Sequence, residues 1–382
     1  MSASKPVYLD YNGTTPHDPQ VLEAMKLFLE EEFGNPSSNH WYGIAPKKAI
    51  RTARERVAEL LNCSPDEIFF TSGGTESNNH AIIGTAFANR HKGNHIVTSG
   101  IEHPAVLEVC HYLEAQGFSV TYLPVDEFGL VSVSDAGAAI TPRTILITVM
   151  HANNEVGTVE PIAEIAALAR EREIVVHTDA AQSIGKIPAN VAELGVDLLS
   201  IAGHKVYAPK GIGVLYVRSG TKLQKFMLGA GQESGRRAGT ENVTQVVGLG
   251  RACELAKKNL EEHRLHMKRM RDLLHSGLAE HLPDLRLNGH PEKRLPNTLS
   301  LSFYGLEANR ILEEIGLDVA ASAGAACHSD HVEVSHVLQA MGVPLEWAKG
   351  TLRFSTGRMT TEAEINRAVQ SVVNAVNELK RG

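Results

Sequence analysis

Short apolar runs recur along the first 220 positions, each bounded by glycine, polar or charged residues. They are Ile68–Thr71, Ile96–Thr98, Val120–Leu123, Ile145–Val149, Ile174–Thr178, Leu198–Ile201 and Val214–Val217. Continuous rather than alternating hydrophobicity marks strands buried on both faces. Between several of them, as at Ile162–Arg170, apolar residues fall at helical spacing. This alternation predicts an α/β fold, a mainly parallel sheet covered by helices. Near residue 250 the pattern changes. A charged amphipathic stretch from Val246 to about His281 predicts one long helix leading out of the first domain, and a mixed α+β region follows. The last segment predicts a helix with a capping box, Thr361-x-x-Glu364, and one apolar face of Ile365, Val369, Val372, Val376 and Leu379. The expected division is a large domain over residues 14–255 and a smaller one from residues 1–13 and 256–382.

Composition adds limits. The 382 residues are 43% hydrophobic and 21% charged, enough for a large core in two domains. Net charge is −7 and no basic block gathers, so no nucleic-acid partner is expected. The start, Met-Ser-Ala-Ser-Lys-Pro, has no apolar signal core, and no run could span a bilayer. A cytoplasmic enzyme without a membrane partner is the expectation. Of the four cysteines, Cys63, Cys110, Cys253 and Cys327, no two are spaced as C-x-x-C, which argues against a zinc ribbon or a thioredoxin-type site. Cys110 and Cys253 read as small buried hydrophobes. Cys327 lies among small residues, Ala321-Ser322-Ala323-Gly324-Ala325-Ala326 before it, with little to pack a thiol. The cluster Cys327-His328-Ser329-Asp330-His331 has metal-ligating types, but no partner pair elsewhere supports a metal.

The chemistry starts from two residues 26 positions apart. Asp179 closes the run Val175-Val176-His177-Thr178, and Lys205 follows Leu198–Ile201 through Ala202-Gly203-His204. Neighbouring strand ends are where open α/β sheets bind ligands. A carboxylate to keep a pyridine nitrogen protonated and a lysine to form a Schiff base are the two groups that pyridoxal phosphate needs. Asp179 alone would also serve as a helix cap, and Lys205 alone as a solvated lysine. Its place after an apolar strand instead predicts a desolvated amine of lowered pKa. Gln182 is placed to reach the ring oxygen. Upstream, Ile68–Thr71 runs into Ser72-Gly73-Gly74-Thr75-Glu76-Ser77-Asn78, a glycine turn opening a helix, whose free N–H groups suit a phosphate. Alone, a plain β–α turn explains that segment; with Asp179 and Lys205 downstream it reads as a phosphate site.

With these motifs together the chain resembles the class V aminotransferase-like, pyridoxal-phosphate-dependent cysteine desulfurases and their relatives, the selenocysteine lyases. The matching segments run nearly end to end. They include Tyr8-Leu9-Asp10-Tyr11-Asn12-Gly13-Thr14-Thr15-Pro16, Gly34-Asn35-Pro36-Ser37-Ser38, Thr71–Asn79, Glu102-His103, Asn153-Asn154-Glu155-x-Gly157, Ala238-Gly239-Thr240-Glu241-Asn242 and Arg353-Phe354-Ser355-x-Gly357-Arg358. The resemblance implies the aspartate aminotransferase-like fold, fold type I. It implies that His103 stacks on the pyridine face, that Asn154 lies near the ring oxygen and the substrate, and that Gly74, Thr75 and His204 hold the phosphate. Thr240 would reach the phosphate of a neighbouring subunit, so a homodimer with shared sites is implied. Arg353 would clamp the substrate carboxylate, which a planar two-pronged donor suits. Where many relatives have serine before Gly-His-Lys, this chain has Ala202, which predicts one phosphate hydrogen bond fewer and slightly weaker cofactor binding.

Cofactor residues do not name a reaction, and Cys327 discriminates. It matches the nucleophile of the family's active-site loop, which implies conversion of L-cysteine to L-alanine with a persulfide on Cys327, available to a sulfur-acceptor protein. Lys205 would move the Cα proton, and His103 or His328 would help ionise the thiol. The run Gly324–His331 also looks like the selenocysteine lyase version of the loop, which makes L-selenocysteine the alternative substrate. A generic aminotransferase would have no use for Cys327, and a non-catalytic scaffold of the same fold would be colourless. The last helix stops at Leu379-Lys380-Arg381-Gly382, without the scaffold-docking tail of the iron–sulfur assembly enzymes, so another sulfur acceptor, or none, stays open.

Overall fold

The computed structural model describes residues 5–328 and 331–381, with residues 325–328 and 331–333 described by their backbone alone. The chain enters through β1 (Val7–Tyr8) and then builds a seven-stranded sheet. Its members are β2 (Ile68–Thr71), β3 (His95–Ser99), β4 (Ser119–Leu123), β5 (Thr144–Thr148), β6 (Val175–Asp179), β7 (Leu198–Ala202) and β8 (Gly213–Val217). All seven apolar runs are strands. The order is β2-β8-β7-β6-β5-β3-β4. The pairings among β3, β4, β5, β6 and β7 are parallel, and β8 is antiparallel to both β7 and β2. Since β8 alone reverses, β2 runs with the parallel set, and six strands end at the same edge. The fold is the mainly parallel α/β architecture expected of fold type I. Every residue of β3, β5, β7 and β8 is buried, which is why apolar residues stand on both faces of each.

The long helix expected from Val246 to His281 is instead two, Val243–Lys258 and Leu260–His281, parted at Asn259 with φ −115° and ψ 18°. The charge pattern explains the break. Lys257 and Lys258 sit at the carbonyl end of the first helix, and Glu261 and Glu262 at the N–H end of the second, each favoured by the local dipole. Asparagine between them is a poor helix former. The two helices also serve different cores. Val246, Leu249, Ala252 and Cys253 pack with the large sheet, whereas Met270, Leu274 and Leu278 pack in a second cluster with Val7, Leu9, Leu299, Phe354, Ile365 and Val372.

That second cluster lines a smaller sheet. Its strands are β9 (Leu285–Asn288), β10 (Thr298–Phe303), β12 (Ser322–Ala323) and β15 (Thr351–Ser355), while the short β11 (Val319–Ala320) and the hairpin pair β13 (Ala325–His328) and β14 (His331–Val334) belong to two separate two-stranded sheets. The order β12-β15-β10-β9 is antiparallel throughout; β1 pairs parallel with β11, and β13 antiparallel with β14. The final helix, Glu362–Leu379, starts with the expected capping box between Thr361 and Glu364. Among the described residues no helix is long and apolar enough to cross a membrane.

Strand alternation on β15 turns Phe354 into this second core and its neighbour Arg353 the other way. Phe354 is fully buried. Phe354→Ala should therefore cost about 3–5 kcal/mol, read as a lowered urea midpoint. A cost near zero would mean that this cluster does not carry the smaller sheet.

Candidate active site

The common edge of the large sheet carries the site. β3 leads to Glu102 and His103, β5 to Met150 and Asn154, β6 ends on Asp179, and β7 leads to Ala202, His204 and Lys205. β2 contributes the turn before the helix Gly74–Asn89. That turn needs glycine. Gly73 has φ +153°, and a Cβ on Gly213, opposite Thr71 in the ladder, would lie 2.7 Å from Gly73 backbone atoms. A Cβ on Gly74 would already stand 3.2 Å from the Ala202 methyl, so the turn and the β7 end are in close contact.

Between these loops lies a cavity of about 290 Å³. Its lining brings together Gly74, Thr75, His103, Asn154, Asp179, Gln182, His204, Lys205 and Arg353, nine of the eleven site residues read from the sequence. Thr240 is exposed on the segment after β8 and does not line its own chain's cavity. The Cys327 side chain lies outside the described residues. Its backbone is in β13, opposite Val332. The ends of that hairpin are tied to the site. Gly324 N–H donates to the Thr351 carbonyl (2.8 Å) and Ser335 N–H to the Gly324 carbonyl (3.1 Å). Ser335 Oγ donates to Glu155 Oε2 (2.5 Å), and His336 Nε2 bonds the Glu102 carbonyl oxygen (3.0 Å).

Four side chains show how burial tunes the groups at this edge. Lys205 Nζ donates to the carbonyls of Asn12 and Gly13, the latter at 2.8 Å. Burial, with the Arg353 cation, lowers its pKa to about 8, while Asp10 and Asp179 oppose the drop. The lowered amine pKa expected from the sequence is thus present. His103 caps the helix Pro104–Ala115, its Nδ1 accepting from Ala105 N–H (3.0 Å), and burial lowers its pKa below the usual histidine value. The ring is therefore both a structural cap and a wall of the cavity. His204 is lowered to about 4 by burial and by Lys205, and Nδ1 bonds Thr14 Oγ1 (3.1 Å). Glu102, fully buried, is raised to about 8 and accepts from Ser99 Oγ (2.5 Å) and Met150 N–H (3.0 Å), joining the His103 loop to the end of β5.

Asp179 also has two tasks. Oδ1 accepts from Ala181 N–H (2.9 Å) and Oδ2 from Asn78 Nδ2 (2.6 Å). Asn78 Oδ1 is buried without a partner. Arg353 is fixed by three bonds: Nη2 to Asp10 Oδ1 (2.8 Å) and Ser322 Oγ (3.0 Å), and Nη1 to the Asn154 carbonyl (3.1 Å). Its Nε is buried and unpartnered among the described residues.

This donor set fits pyridoxal phosphate. Free N–H groups at a glycine-led helix start, with Thr75 and His204, could hold a phosphate; a buried carboxylate faces the same cavity as a nucleophilic amine; and two polar atoms are left unpaired in their burial. The sequence reading missed Asn12, Gly13, Asn78 and Lys186. Asn12 and Gly13 stood in a recognised motif without a role. Lys186 had one signal, a lone charge between Ile184-Gly185 and Ile187.

The class-V aminotransferase family profile matches residues 7–368. A cysteine desulfurase IscS of Dictyoglomus turgidum is 49% identical over 98% of this chain and 95% of its own length. A solved structure described as a NifS-like protein superposes with a TM-score of 0.92 at 38% identity, covering 98% of this chain and all of its own. A structure described as SspA in complex with cysteine gives 0.81 at 37% identity, covering 94% of this chain and all of that one. The chain belongs to the class-V aminotransferase family, among its cysteine desulfurases.

Proposed function

We propose that the protein is a pyridoxal-phosphate-dependent cysteine desulfurase, turning L-cysteine into L-alanine while the sulfur passes to Cys327 as a persulfide. The observation that carries the reading is one cavity holding an amine of lowered pKa, a buried carboxylate, a glycine-led helix start and a fixed arginine. The relatives named as cysteine desulfurases support it. Residues 14–255 form the cofactor-holding domain, and residues 1–13 with 256–382 the smaller one.

Gly74, Thr75 and His204 hold the cofactor phosphate. Thr240 of a second copy of the chain joins them, so two copies complete each site. Asp179 would keep the pyridine nitrogen protonated, and His103, Gln182 and Asn154 would hold the ring. Lys205 would hold the cofactor through its amine. Bound there, pyridoxal phosphate supplies an electron sink for the pair left on the substrate Cα when its proton leaves.

The chain's own residues do the remaining work. Arg353 takes the L-cysteine carboxylate and fixes which Cα bond faces Lys205. The Lys205 amine accepts the Cα proton. An amine with a pKa of about 8 keeps a useful unprotonated fraction near neutral pH, which an ordinary lysine does not. The Cys327 thiolate attacks the substrate sulfur. The carbon–sulfur bond breaks, its electron pair stays with the carbon skeleton, and a proton delivered to that carbon completes alanine. Two cysteine sulfurs become a persulfide, so no external oxidant is needed, and a later thiol acceptor can take the outer sulfur. An ordinary thiol is only a few per cent ionised at pH 7. His103, whose pKa burial lowers, would accept the thiol proton.

Two outcomes test this. Cys327→Ala should keep the cofactor's visible absorbance and lose roughly 100-fold or more of the alanine and sulfide formed from L-cysteine with a thiol reductant. Undiminished product would refute the persulfide step. In the cofactor-free protein, Lys205 should react with acetic anhydride along a titration centred near pH 8, followed by mass spectrometry of its peptide. Below that pH the amine is protonated and unreactive; above it the amine is free. Exposed lysines should titrate near ~10.4, and a Lys205 midpoint in that range would remove its role as base.

A further inference from the structure

Lys186 is 4% exposed and takes no part in the steps above. Its Nζ donates to Gln182 Oε1 (2.8 Å) and Asn12 Oδ1 (3.0 Å), and no carboxylate pairs with it among the described residues. The charges nearest it are cations, Lys205 and Arg353, and it shares a small inner cavity with His263 and Arg358. Burial drives its pKa well below the usual lysine value. A long side chain in so costly a position calls for a task beyond filling space.

Its two acceptors are not equivalent. The Asn12 amide is held without the lysine: Asn297 Nδ2 also donates to Oδ1 (2.9 Å), and its own Nδ2 donates to Thr298 Oγ1 (2.8 Å) and the Asn154 carbonyl (3.1 Å). Gln182 Oε1 has Lys186 as its sole donor among the described residues. On the other side of that amide, Nε2 donates to the Asn12 carbonyl (2.9 Å), the same oxygen that receives Lys205 Nζ. As the donor to Gln182 Oε1, the Lys186 amine favours the flip of the glutamine amide that turns its oxygen inward.

We propose that Lys186 is a positioning residue that locks the Gln182 amide with its oxygen inward and its N–H side toward Lys205 and the cavity, so that the site offers a donor to the cofactor's ring oxygen. This rests on the cofactor reading above. A donor there stabilises the ionised ring oxygen, and a carbonyl in its place would repel it.

The test compares wild type, Lys186→Met, Gln182→Met and the double variant, each reconstituted with pyridoxal phosphate and titrated across about pH 5 to 10 by visible absorbance. Lys186→Met should raise the absorbance midpoint by about one pH unit or more. In the Gln182→Met background the same change should move the midpoint no further, because the lysine acts through that amide. A wild-type midpoint in Lys186→Met, or a second full shift in the double variant, overturns the proposal. If Lys186→Met does not fold by circular dichroism, Lys186→Gln replaces it. That side chain is one bond shorter, and the midpoint should still rise. If neither variant folds, the role is structural and the proposal falls. A wild-type protein that gains no visible absorbance on reconstitution refutes the cofactor reading instead.

Discussion

Two backbone carbonyls decide where the chemistry sits. Asn12 and Gly13 accept from the Lys205 amine, and the Asn12 carbonyl also accepts from Gln182. A buried amine is tolerated only when its protons have acceptors, and here the acceptors come from the N-terminal segment rather than from the sheet that carries the lysine. Asn12 is in turn held from the smaller sheet: its N–H donates to Ser355 Oγ (2.9 Å) and its side chain to Thr298 Oγ1. One residue therefore ties the ends of β6 and β7 to β10 and β15. The position of Lys205 depends on both cores being folded together.

Burial then sets the protonation states around that amine. It lowers His103 and His204, raises Glu102 and lowers Lys205 itself, each toward the neutral form. Groups that stay neutral exert little field. The field at Lys205 is left to Arg353 on one side and to Asp10 and Asp179 on the other.

The strands and their shared edge were legible because buried parallel strands write themselves as unbroken apolar runs, and Asp179 and Lys205 stand at the ends of two of them. The break at Asn259 was less visible, since an amphipathic period continues across it and only the Lys-Lys-Asn-Leu-Glu-Glu charge order marks it. The roles of Asn12 and Lys186 were not legible for a different reason. Asn12 meets Gln182, Lys186 and Lys205 across 170 to 193 positions of chain. No local pattern encodes an amide whose orientation is fixed by donors that distant. A site role for Thr240 came only through resemblance, since among the described residues it does not line its own chain's cavity.

Arg353 shows how the two charged ends of the site work on each other. Its guanidinium is held before any ligand arrives, by Asp10, Ser322 and the Asn154 carbonyl, so binding loses little side-chain freedom there. Asp10 also keeps this partly buried cation from standing unpaired, which would be costly. On the proposed reading, a substrate carboxylate would share the guanidinium with Asp10. The same cation is among the influences that lower the Lys205 pKa, and Asp10 among those that raise it. On the proposed reading, a carboxylate on Arg353 adds negative charge on the side of Asp10 and offsets the cation.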